Sequence, residues 1–311
     1  MRVTHGFRPP SSIQPCALTI GNFDGIHLGH QAVIAHLTAM ARTLGLPATL
    51  LTFEPHPREY FDPAHAPVRL TSLREKLELL ANLGLDRVHI CRFSQALARM
   101  QAADFVTHIV SQNLAARWVL VGDDFRYGAG RQGDLALLQK LGQKYGFEAY
   151  AEPAVIVDNE RVSSTTIRSA LACGELLRAQ SLLGRPYAIS GRVVHGDKTG
   201  RKLGFPTANI QLKHNKPPLS GIFAVELRGL GHTVLRGVAS LGVRPTIYDD
   251  GKPTLEVFIF DFNRDIYRHH VQVSFLHKLR DEAKYPDLEI LKRNIALDVE
   301  NAKLYFEQMH V

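Results

Sequence analysis

The sequence is poor in cysteine, and its three cysteines are badly placed for cross-linking or for metal binding. Cys16, Cys91 and Cys173 are isolated, odd in number and without C-x-x-C spacing, a pattern that argues against a disulfide framework and against a zinc site. The chain also lacks an apolar signal segment, and no apolar run reaches membrane-spanning length. We therefore expect a cytoplasmic protein with no membrane association.

A dense block of lysine and arginine is also missing. The 37 Lys and Arg residues exceed the 30 Asp and Glu residues, for a net charge of +7, which suits small anionic ligands such as nucleotides. Without a basic block, nucleic acid is a poor candidate for a partner. No internal repeat or low-complexity tract occurs, and 311 residues with 45% hydrophobic content predict two domains with ordinary cores.

The first half of the chain alternates strand-like and helix-like segments. The strand-like segments are "ALTIG", "PATLLTF", "RVHICRF", "RWVLVG" and "EAYAEPAVIV". The helix-like segments are "HQAVIAHLTAMARTLG", which should stop at Gly45, "LTSLREKLELLANLG", with a capping box from Ser72 to Glu75, "QAADFVTHIVSQNL" and "DLALLQKLGQKYG". Strict alternation predicts a parallel sheet with helices on both faces, and ligands bind such sheets at the carboxyl ends of the strands.

The pattern changes after residue 182. Short alternating runs separated by turn residues follow: "YAISGRVVHG", "GIFAVELRG", "TVLRGVASLG", "TLEVFIFDF" and "VQVSFLHKL". They predict a small antiparallel β-barrel, and the apolar spacing of "DLEILKRNIALDVENAKLYFEQM" predicts a helix that closes it. The expected domains are therefore 1–182 and 183–311.

The turn "GNFDGIHLGH" joins the first predicted strand to the first predicted helix. A helix N-terminus is a natural phosphate site, and Gly21, Gly25 and Gly29 allow the backbone to approach a ligand closely. His27 and His30 could then donate hydrogen bonds to phosphate oxygens as negative charge develops in a transition state. The alternative is that one or both are ordinary histidines of a helical first turn.

Two later segments have similar chemistry. "VGDDFRYGAGRQGD" (121–134) carries four glycines, and "RVSSTTIRSAL" (161–171) opens a helix with a hydroxyl cluster beside Arg161 and Arg168. Both follow predicted strands, so they would lie near the histidine turn and suit the phosphates of a nucleotide. Plain N-capping is the alternative for the hydroxyl cluster.

The second half carries its own glycine-bearing loop, "HGDKTGRKLGFPTANI" (195–210). It has no G-K-[ST] ending and so is not a P-loop. Thr207 and Asn209 supply neutral oxygens suited to Mg²⁺, although a plain hairpin loop is equally compatible with this pattern. Further on, Glu256 shares one strand face with Phe258 and Phe260. Such a carboxylate is either on a solvated face or a general base beside an aromatic pocket.

Taken in order, "GNFDGIHLGH", "TFEPHPREYF", "LTSLREKLELL", "VGDDFRYGAGRQGD" and "RVSSTTIR" resemble the adenylyltransferase module of bacterial bifunctional riboflavin kinase/FAD synthetases. The second half resembles the riboflavin kinase module of the same family, above all through P-T-A-N in the glycine-bearing loop. The resemblance covers about residues 15–305. It implies a Rossmann-like nucleotidylyltransferase domain followed by the barrel, with riboflavin, FMN, FAD and ATP as ligands and Mg²⁺ as cofactor.

The resemblance also implies roles for individual residues. His27 and His30 would be catalytic in adenylyl transfer and Glu256 in riboflavin phosphorylation, while Thr207 and Asn209 would hold the metal. ATP in the first half would be bound by Gly21, Phe23, Asp24, Gly29, Asp124, Arg161, Ser163, Ser164, Thr165 and Arg168. ATP in the second half would be bound by Gly196, Gly200, Lys202, Gly204, Pro206, Thr207 and Asn209, and the flavin by Arg280 and Glu282.

Three departures from the family pattern are visible. Val162 stands where isoleucine is expected, Asp124 is at a position where Asn or Asp occurs, and "NRDIYRHH" (263–270) replaces a G-D-x-Y-G type of turn.

Two other functions remain as alternatives: adenylylation of another mononucleotide with the barrel as a binding module, and an RNA-binding barrel beside a degenerate nucleotide fold. We expect a monomer or a weak homo-oligomer.

Overall fold

A computed structural model describes residues 1–6, 14–196, 199–213, 216–243 and 253–309. The chain forms two compact units. Unit 1 contains Met1–Pro67 and Lys76–Ser163, and unit 2 contains Val68–Glu75 and Ser164–Val311. The division at residue 163 lies upstream of the 182/183 boundary expected from the sequence, and a short segment from the first half of the chain belongs to the second unit.

Unit 1 is built on a six-stranded parallel sheet with the order β1-β4-β3-β2-β5-β6. Its strands are β1 (Arg2–His5), β2 (Cys16–Ile20), β3 (Ala48–Glu54), β4 (Arg87–Arg92), β5 (Ala116–Gly122) and β6 (Glu148–Glu152). All five residues of β2 are buried, as expected for a central strand covered on both faces. The edge strand β1 was not expected, because its four residues show no clear apolar alternation.

Helices connect these strands. They are α1 (Leu28–Leu44), α2 (Pro57–Phe61), α3 (Leu73–Ala81), α4 (Gln95–Arg99), α5 (Ala102–Asp104), a π-helix (Phe105–Asn113), a 3₁₀-helix (Ala129–Arg131) and α6 (Leu135–Tyr145). α1 ends at Gly45 with a φ of 65°, as predicted. The expected capping box of α3 is confirmed, because the Ser72 N–H donates to Glu75 Oε2 at 2.6 Å and the Glu75 N–H donates to Ser72 Oγ at 3.4 Å.

Two predicted elements of unit 1 differ from the structure. The helix expected over "QAADFVTHIVSQNL" is π-helical from Phe105 to Asn113. The strand expected over "EAYAEPAVIV" is interrupted after Glu152, where Pro153 lacks the N–H that a sheet ladder needs. Its last residues form β7 (Ile156–Val157), which pairs with β8 (Glu160–Arg161) in a separate hairpin.

The sheet is covered on both faces. Leu18 and Ile20 pack in one core cluster with Phe105 and Ile109 of the π-helix. Helix α1, whose buried residues include Leu37, contacts β2, β3 and β5, and successive residues of a strand point to opposite faces. The parallel sheet with helices on both faces, expected from the sequence, is therefore confirmed.

Unit 2 is a closed six-stranded antiparallel barrel with helices. The strands, in the order in which they pair around the barrel, are β10 (Thr207–Gln211), β13 (Pro253–Ile259), β12 (Leu235–Val243), β11 (Gly221–Arg228), β14 (His270–Arg280) and β9 (Tyr187–Val194). The helices are α7 (Ser164–Ala172), α8 (Leu176–Leu183), α9 (Thr199–Lys202) and α10 (Leu288–Gln308). α10 packs against β11, β12 and β14, so the closing helix is confirmed.

The barrel contains one strand that the sequence did not reveal. Thr207 and Asn209 belong to β10, which pairs with both β9 and β13, and not to a loop. Small and polar residues dominate "TANIQ", so the segment has no alternating apolar signal and its strand is defined by its two partners. His270, the last residue of "NRDIYRHH", is likewise the first residue of β14. Within the described ranges, no helix combines the length and apolar character that a bilayer crossing needs.

Candidate active sites

The histidine turn lies at the switch point of the parallel sheet. β2 has β3 on one side and β5 on the other. The chain adds β3 and β4 on one side of β2, and it then adds β5 and β6 on the other side. Ligands of open α/β sheets bind at the carboxyl ends of the strands where the order reverses in this way. The turn after β2 and the turn after β5, which contains Asp123 and Asp124, are therefore neighbours at the place where a nucleotide is expected.

The turn itself has an unusual backbone. Phe23, Gly25 and Ile26 have positive φ values of 49°, 87° and 43°, a conformation that costs non-glycine residues energy and is retained where the surroundings enforce it. Gly21 lies under the Phe23 ring, since a Cβ there would be 3.1 Å from it. Asp24 is only 5% exposed. Gly21, Phe23 and Asp24, which are predicted to bind ATP, therefore belong to one tightly folded segment directly before α1.

His27 is the N-cap of α1. Its Nδ1 accepts the backbone N–H of His30 at 3.3 Å, so the neutral ring carries its proton on Nε2 and can donate it to a ligand. The rings of His27 and His30 are stacked with centroids 3.6 Å apart, and the Phe23 ring lies 5.0 Å from that of His30. His27 is 7% exposed, and the pair lies at a helix N-terminus, where anions are favoured.

Gly29 allows this packing and lies near the "RVSS" segment. A Cβ at Gly29 would be 3.2 Å from His27 Nδ1 and 3.8 Å from the carbonyl oxygen of Val162. Val162 therefore approaches the first turn of α1. Arg161 forms an ion pair with Asp123 at 2.5 Å and lies 3.7 Å from Asp124. The structure thus brings Arg161 and Val162, at the start of the third polar turn, close to the turns that follow β5 and β2.

The remaining predicted residues of this site begin at the division between the units. Ser163 and Ser164 are half-buried and Thr165 is exposed, at the start of α7. Arg168 donates from Nε to the carbonyl oxygen of Val68 at 2.5 Å within unit 2. This contact gives Arg168 a structural role that sequence reasoning did not anticipate.

The second candidate site lies on the outer face of the barrel. Leu255 and Val257 of β13 are buried in the barrel core, so Glu256 and Phe258 point to the other face, as their alternation predicted. Strand register places Asn209 directly opposite Glu256 on one side and Ser240 on the other. The Thr207 hydroxyl donates to Glu256 Oε2 at 3.1 Å. Three residues predicted from two separate motifs, Thr207 and Asn209 from one and Glu256 from the other, are thereby brought into one cluster.

The glycine-bearing loop wraps the edge of this cluster. A Cβ at Gly196 would be 2.5 Å from the Asn209 amide group, so only glycine allows the backbone this close to a predicted metal ligand. Gly200 accepts the Phe205 N–H at 2.8 Å, and the Phe205 ring meets Phe258 edge-on at 5.4 Å. Glu256 is therefore half-buried beside aromatic rings and does not lie on an open solvated face.

Other predicted residues of the loop lie nearby in the chain. Gly204 and Pro206 connect α9 to β10. Lys202 is the last residue of α9, but its side chain lies outside the described residues, as do residues 197 and 198. The binding roles predicted for these positions stay predictions.

The two predicted flavin-binding residues differ in their surroundings. Arg280 forms a bidentate ion pair with the buried Asp298 of α10, at 2.8 and 2.6 Å, and this hydrogen bonding raises the pKa of the guanidinium. Glu282 accepts the Ser240 hydroxyl at 3.3 Å, and desolvation raises the pKa of its carboxyl. Arg280 therefore has a structural partner, whereas Glu282 is linked through Ser240 to the strand position opposite Glu256.

Sequence reasoning missed Ser240, because its proximity to Glu256 depends on strand register and no motif marks it. The two buried cysteines are poor nucleophiles, because burial raises the pKa of Cys16 to about 11 and that of Cys91 to about 12. In the described part of the chain, no group of three or more His, Cys, Asp or Glu side chains could hold a metal ion.

Comparisons with known proteins match the two halves of the chain to two different enzyme families. The family model for FAD synthetase matches residues 10–166, and that for riboflavin kinase matches residues 183–306. A crystal structure described as a macrolide-efflux protein from Streptococcus pneumoniae has 28% sequence identity and a TM-score of 0.80, covering 96% of this chain and 97% of that one.

Proteins named bifunctional riboflavin kinase/FMN adenylyltransferase are similar over almost the whole chain. The relative from Escherichia coli (strain K12) is 46% identical over 94% of this chain and 93% of its own length. The relative from Haemophilus influenzae is 45% identical over 94% and 95%, and the one from Pseudomonas fluorescens is 45% identical over 97% and 96%. With both family models matched in the same order, the chain belongs to the bifunctional riboflavin kinase/FMN adenylyltransferase family.

Proposed function

We propose that the chain makes FAD in two steps at the two sites described above. In unit 2, riboflavin and ATP give FMN and ADP. In unit 1, FMN and a second ATP give FAD and pyrophosphate. The observation that supports this assignment best is that the chain holds two separate sites. One is the stacked histidine pair at the N-terminus of α1, where the strand order of the sheet reverses, and the other is the cluster of Glu256, Thr207 and Asn209 on the barrel.

In the adenylyl transfer, a phosphate oxygen of FMN forms a bond to the α-phosphorus of ATP, and the bond from that phosphorus to the bridging oxygen of pyrophosphate breaks. His27 Nε2–H donates to an α-phosphate oxygen as negative charge develops. His30, stacked against it, supplies a second donor. The reaction needs no covalent enzyme intermediate, because both imidazoles act through preorganised hydrogen bonds.

In the phosphoryl transfer, Glu256 accepts the proton of the riboflavin 5′-hydroxyl while that oxygen attacks the γ-phosphorus of ATP and ADP leaves. The Thr207 hydroxyl holds the carboxylate in place through the 3.1 Å bond to Oε2. The neighbouring Phe258 offers apolar surface to the flavin, and Glu282 and Arg280 are the other flavin-binding candidates.

The oxygen set of the barrel site fits Mg²⁺. Thr207 uses its single hydroxyl proton toward Glu256, so its oxygen lone pairs face other partners, and the Asn209 amide lies on the same strand face. Mg²⁺ commonly takes one or two protein oxygens together with substrate phosphates and water. When bound, it would neutralise developing phosphate charge, and Thr207 and Asn209 are the residues that would hold it.

The remaining residues assigned to ATP bind its phosphates. For adenylyl transfer the assigned residues are Gly21, Phe23, Asp24, Gly29, Asp124, Arg161, Ser163, Ser164, Thr165 and Arg168. In unit 2 they are Gly196, Gly200, Lys202, Gly204 and Pro206. We further propose that residues 1–182 and 183–311 each carry one activity. Both would act in the cytoplasm, in a monomer or weak homo-oligomer that binds neither nucleic acid nor membrane.

A single incubation tests the proposal. The purified chain is mixed with riboflavin, ATP and Mg²⁺, and the flavins are separated by chromatography over time. We expect FMN to accumulate first and FAD to follow, and we expect FMN supplied directly to give FAD and pyrophosphate. An adenylyltransferase for another mononucleotide would leave riboflavin and FMN unchanged, and an RNA-binding protein would leave all flavins unchanged but shift a labelled RNA.

A further inference from the structure

The motif "LTSLREKLELL" resembles the family but contributes no residue to the reaction proposed above. Its Lys76 is only 4% exposed, and lysine is rarely buried unless its charge is used. The Nζ of Lys76 donates to the backbone carbonyl oxygen of Asn22 at 2.7 Å. The hydroxyl of Thr52, at the end of β3, donates to the same carbonyl at 3.2 Å.

Holding this carbonyl fixes the peptide that precedes Phe23. In a planar trans peptide the C=O and the next N–H point in opposite directions. The two donors therefore direct the Asn22 carbonyl toward Lys76 and Thr52, and the Phe23 N–H away from them. This is also the peptide that enters the positive-φ conformation of Phe23, which needs support from its surroundings.

Side-chain contacts connect the Asn22–Phe23 peptide to the histidine pair. The Phe23 ring is 3% exposed and lies 5.0 Å from the His30 ring, which is stacked on His27 at 3.6 Å. A change in the Asn22–Phe23 peptide would move the Phe23 ring and then the two imidazoles.

We propose that Lys76 is a positioning residue for adenylyl transfer, which acts by anchoring the Asn22 carbonyl and through it the His27–His30 pair. The proposal rests on the proposed function of unit 1. Other residues of the motif have structural roles: Glu75 caps α3 and also accepts the Ser190 N–H of β9 at 2.6 Å, and the Leu70 carbonyl accepts the Tyr187 hydroxyl at 3.0 Å. The proposal accounts for the buried lysine and assigns the motif a part in the chemistry.

The test compares Lys76→Met, which keeps the length of the side chain but removes the charge, with Lys76→Arg, which restores a cationic donor. Lys140→Met is the matched control, because Lys140 is an exposed lysine on α6 of the same unit. We expect Lys76→Met to lower kcat for FAD formation from FMN by about 10- to 100-fold, as for misplaced catalytic groups, with a smaller change in KM for ATP. Lys76→Arg should recover most of the loss, and Lys140→Met should match the wild type.

A double-mutant cycle with His30→Ala separates positioning from a merely structural role. If Lys76 acts through the histidines, Lys76→Met should add little to the loss already caused by His30→Ala. Losses that multiply, or FAD formation by Lys76→Met within twofold of wild type, would overturn the proposal. So would a parallel loss of riboflavin phosphorylation and of FAD formation in both Lys76 variants. A wild-type chain that makes no FAD would instead refute the proposed function itself.

If Lys76→Met does not fold, Thr52→Val provides the second measurement, since it removes the other donor to the same carbonyl. We expect a loss of FAD formation in the same direction, again not additive with His30→Ala. A Thr52→Val variant with the wild-type rate and wild-type KM for ATP would show that the Asn22 carbonyl does not need this anchoring, and would overturn the proposal.

Discussion

Replacing His27 by asparagine and by alanine should separate its two roles. His27 caps α1 through Nδ1, which accepts the His30 N–H, and its Nε2–H is the donor proposed for the α-phosphate. Asparagine is a good N-cap, so its side-chain oxygen can accept the same N–H. Its side chain nevertheless stops short of the position of Nε2. His27→Asn should therefore keep the cap and lose the donor, whereas His27→Ala loses both.

The expected magnitudes distinguish these effects. Loss of the cap costs about 1 kcal/mol, and loss of the ring contact with His30 costs about 1 kcal/mol more, so His27→Ala should destabilise the chain by about 2 kcal/mol. A domain with an ordinary stability of about 5–15 kcal/mol stays folded at 25 °C after such a change. Loss of one preorganised donor costs about 10²- to 10³-fold in rate. Unfolding therefore cannot account for the expected loss of FAD formation.

The assay measures FAD formation from supplied FMN, riboflavin phosphorylation as the internal control, and urea unfolding for stability. We expect both variants to lose FAD formation by at least about 10²-fold and both to phosphorylate riboflavin normally, while only His27→Asn regains part of the lost stability. His30→Ala should behave like His27→Ala in both reactions. FAD formation by His27→Asn at the wild-type rate would refute the donor role and leave His27 as a helix cap alone.

Four further predictions follow from particular contacts. Glu256→Gln keeps the shape of the side chain but removes its proton acceptor, so riboflavin phosphorylation should fall by about 10²- to 10⁴-fold while FMN is still converted to FAD. Wild-type rates of both reactions in an enzymatic assay would contradict the base role. A fragment of residues 183–311 should still phosphorylate riboflavin. A fragment of residues 164–311 should unfold at a higher urea concentration, because only this fragment contains α8, which buries Leu176 and Leu182 and packs against β9 and β14; equal midpoints would contradict this. Arg268 has a φ of 67°, so Arg268→Gly should raise the free energy of unfolding by about 1 kcal/mol, and a destabilised variant in thermal melts would argue against strain at this turn. Burial lowers the pKa of His89 below its ordinary value of 6.5, so the folded state binds fewer protons than the unfolded state. The free energy of unfolding should therefore decrease as the pH falls below 6.5, by at most about 1.4 kcal/mol per pH unit. Urea unfolding at several pH values should show a weaker pH dependence for His89→Gln, and an unchanged pH dependence would refute the assignment.

The sequence by itself determined the class of both folds and predicted a chemistry for each site. Periodicity distinguishes the parallel sheet from the barrel, because buried parallel strands alternate with helices whereas barrel strands follow one another with turn residues between them. The positions of His27, His30 and Glu256 could be chosen because each belongs to a local motif with few interpretations. The capping box at Ser72 and the end of α1 at Gly45 are likewise local features that neighbouring residues decide.

Only the tertiary structure decided which residues meet and which have structural partners. Asn209 and Ser240 lie opposite Glu256 because of strand register, and Arg280 pairs with Asp298 across an intervening stretch of chain. Lys76 reaches the Asn22 carbonyl from a helix more than fifty residues away in sequence. These contacts join distant parts of the chain through packing and hydrogen bonding, for which the local sequence pattern carries no signal, whereas helix caps, turns and hydrophobic periods are fixed by residues only a few positions apart.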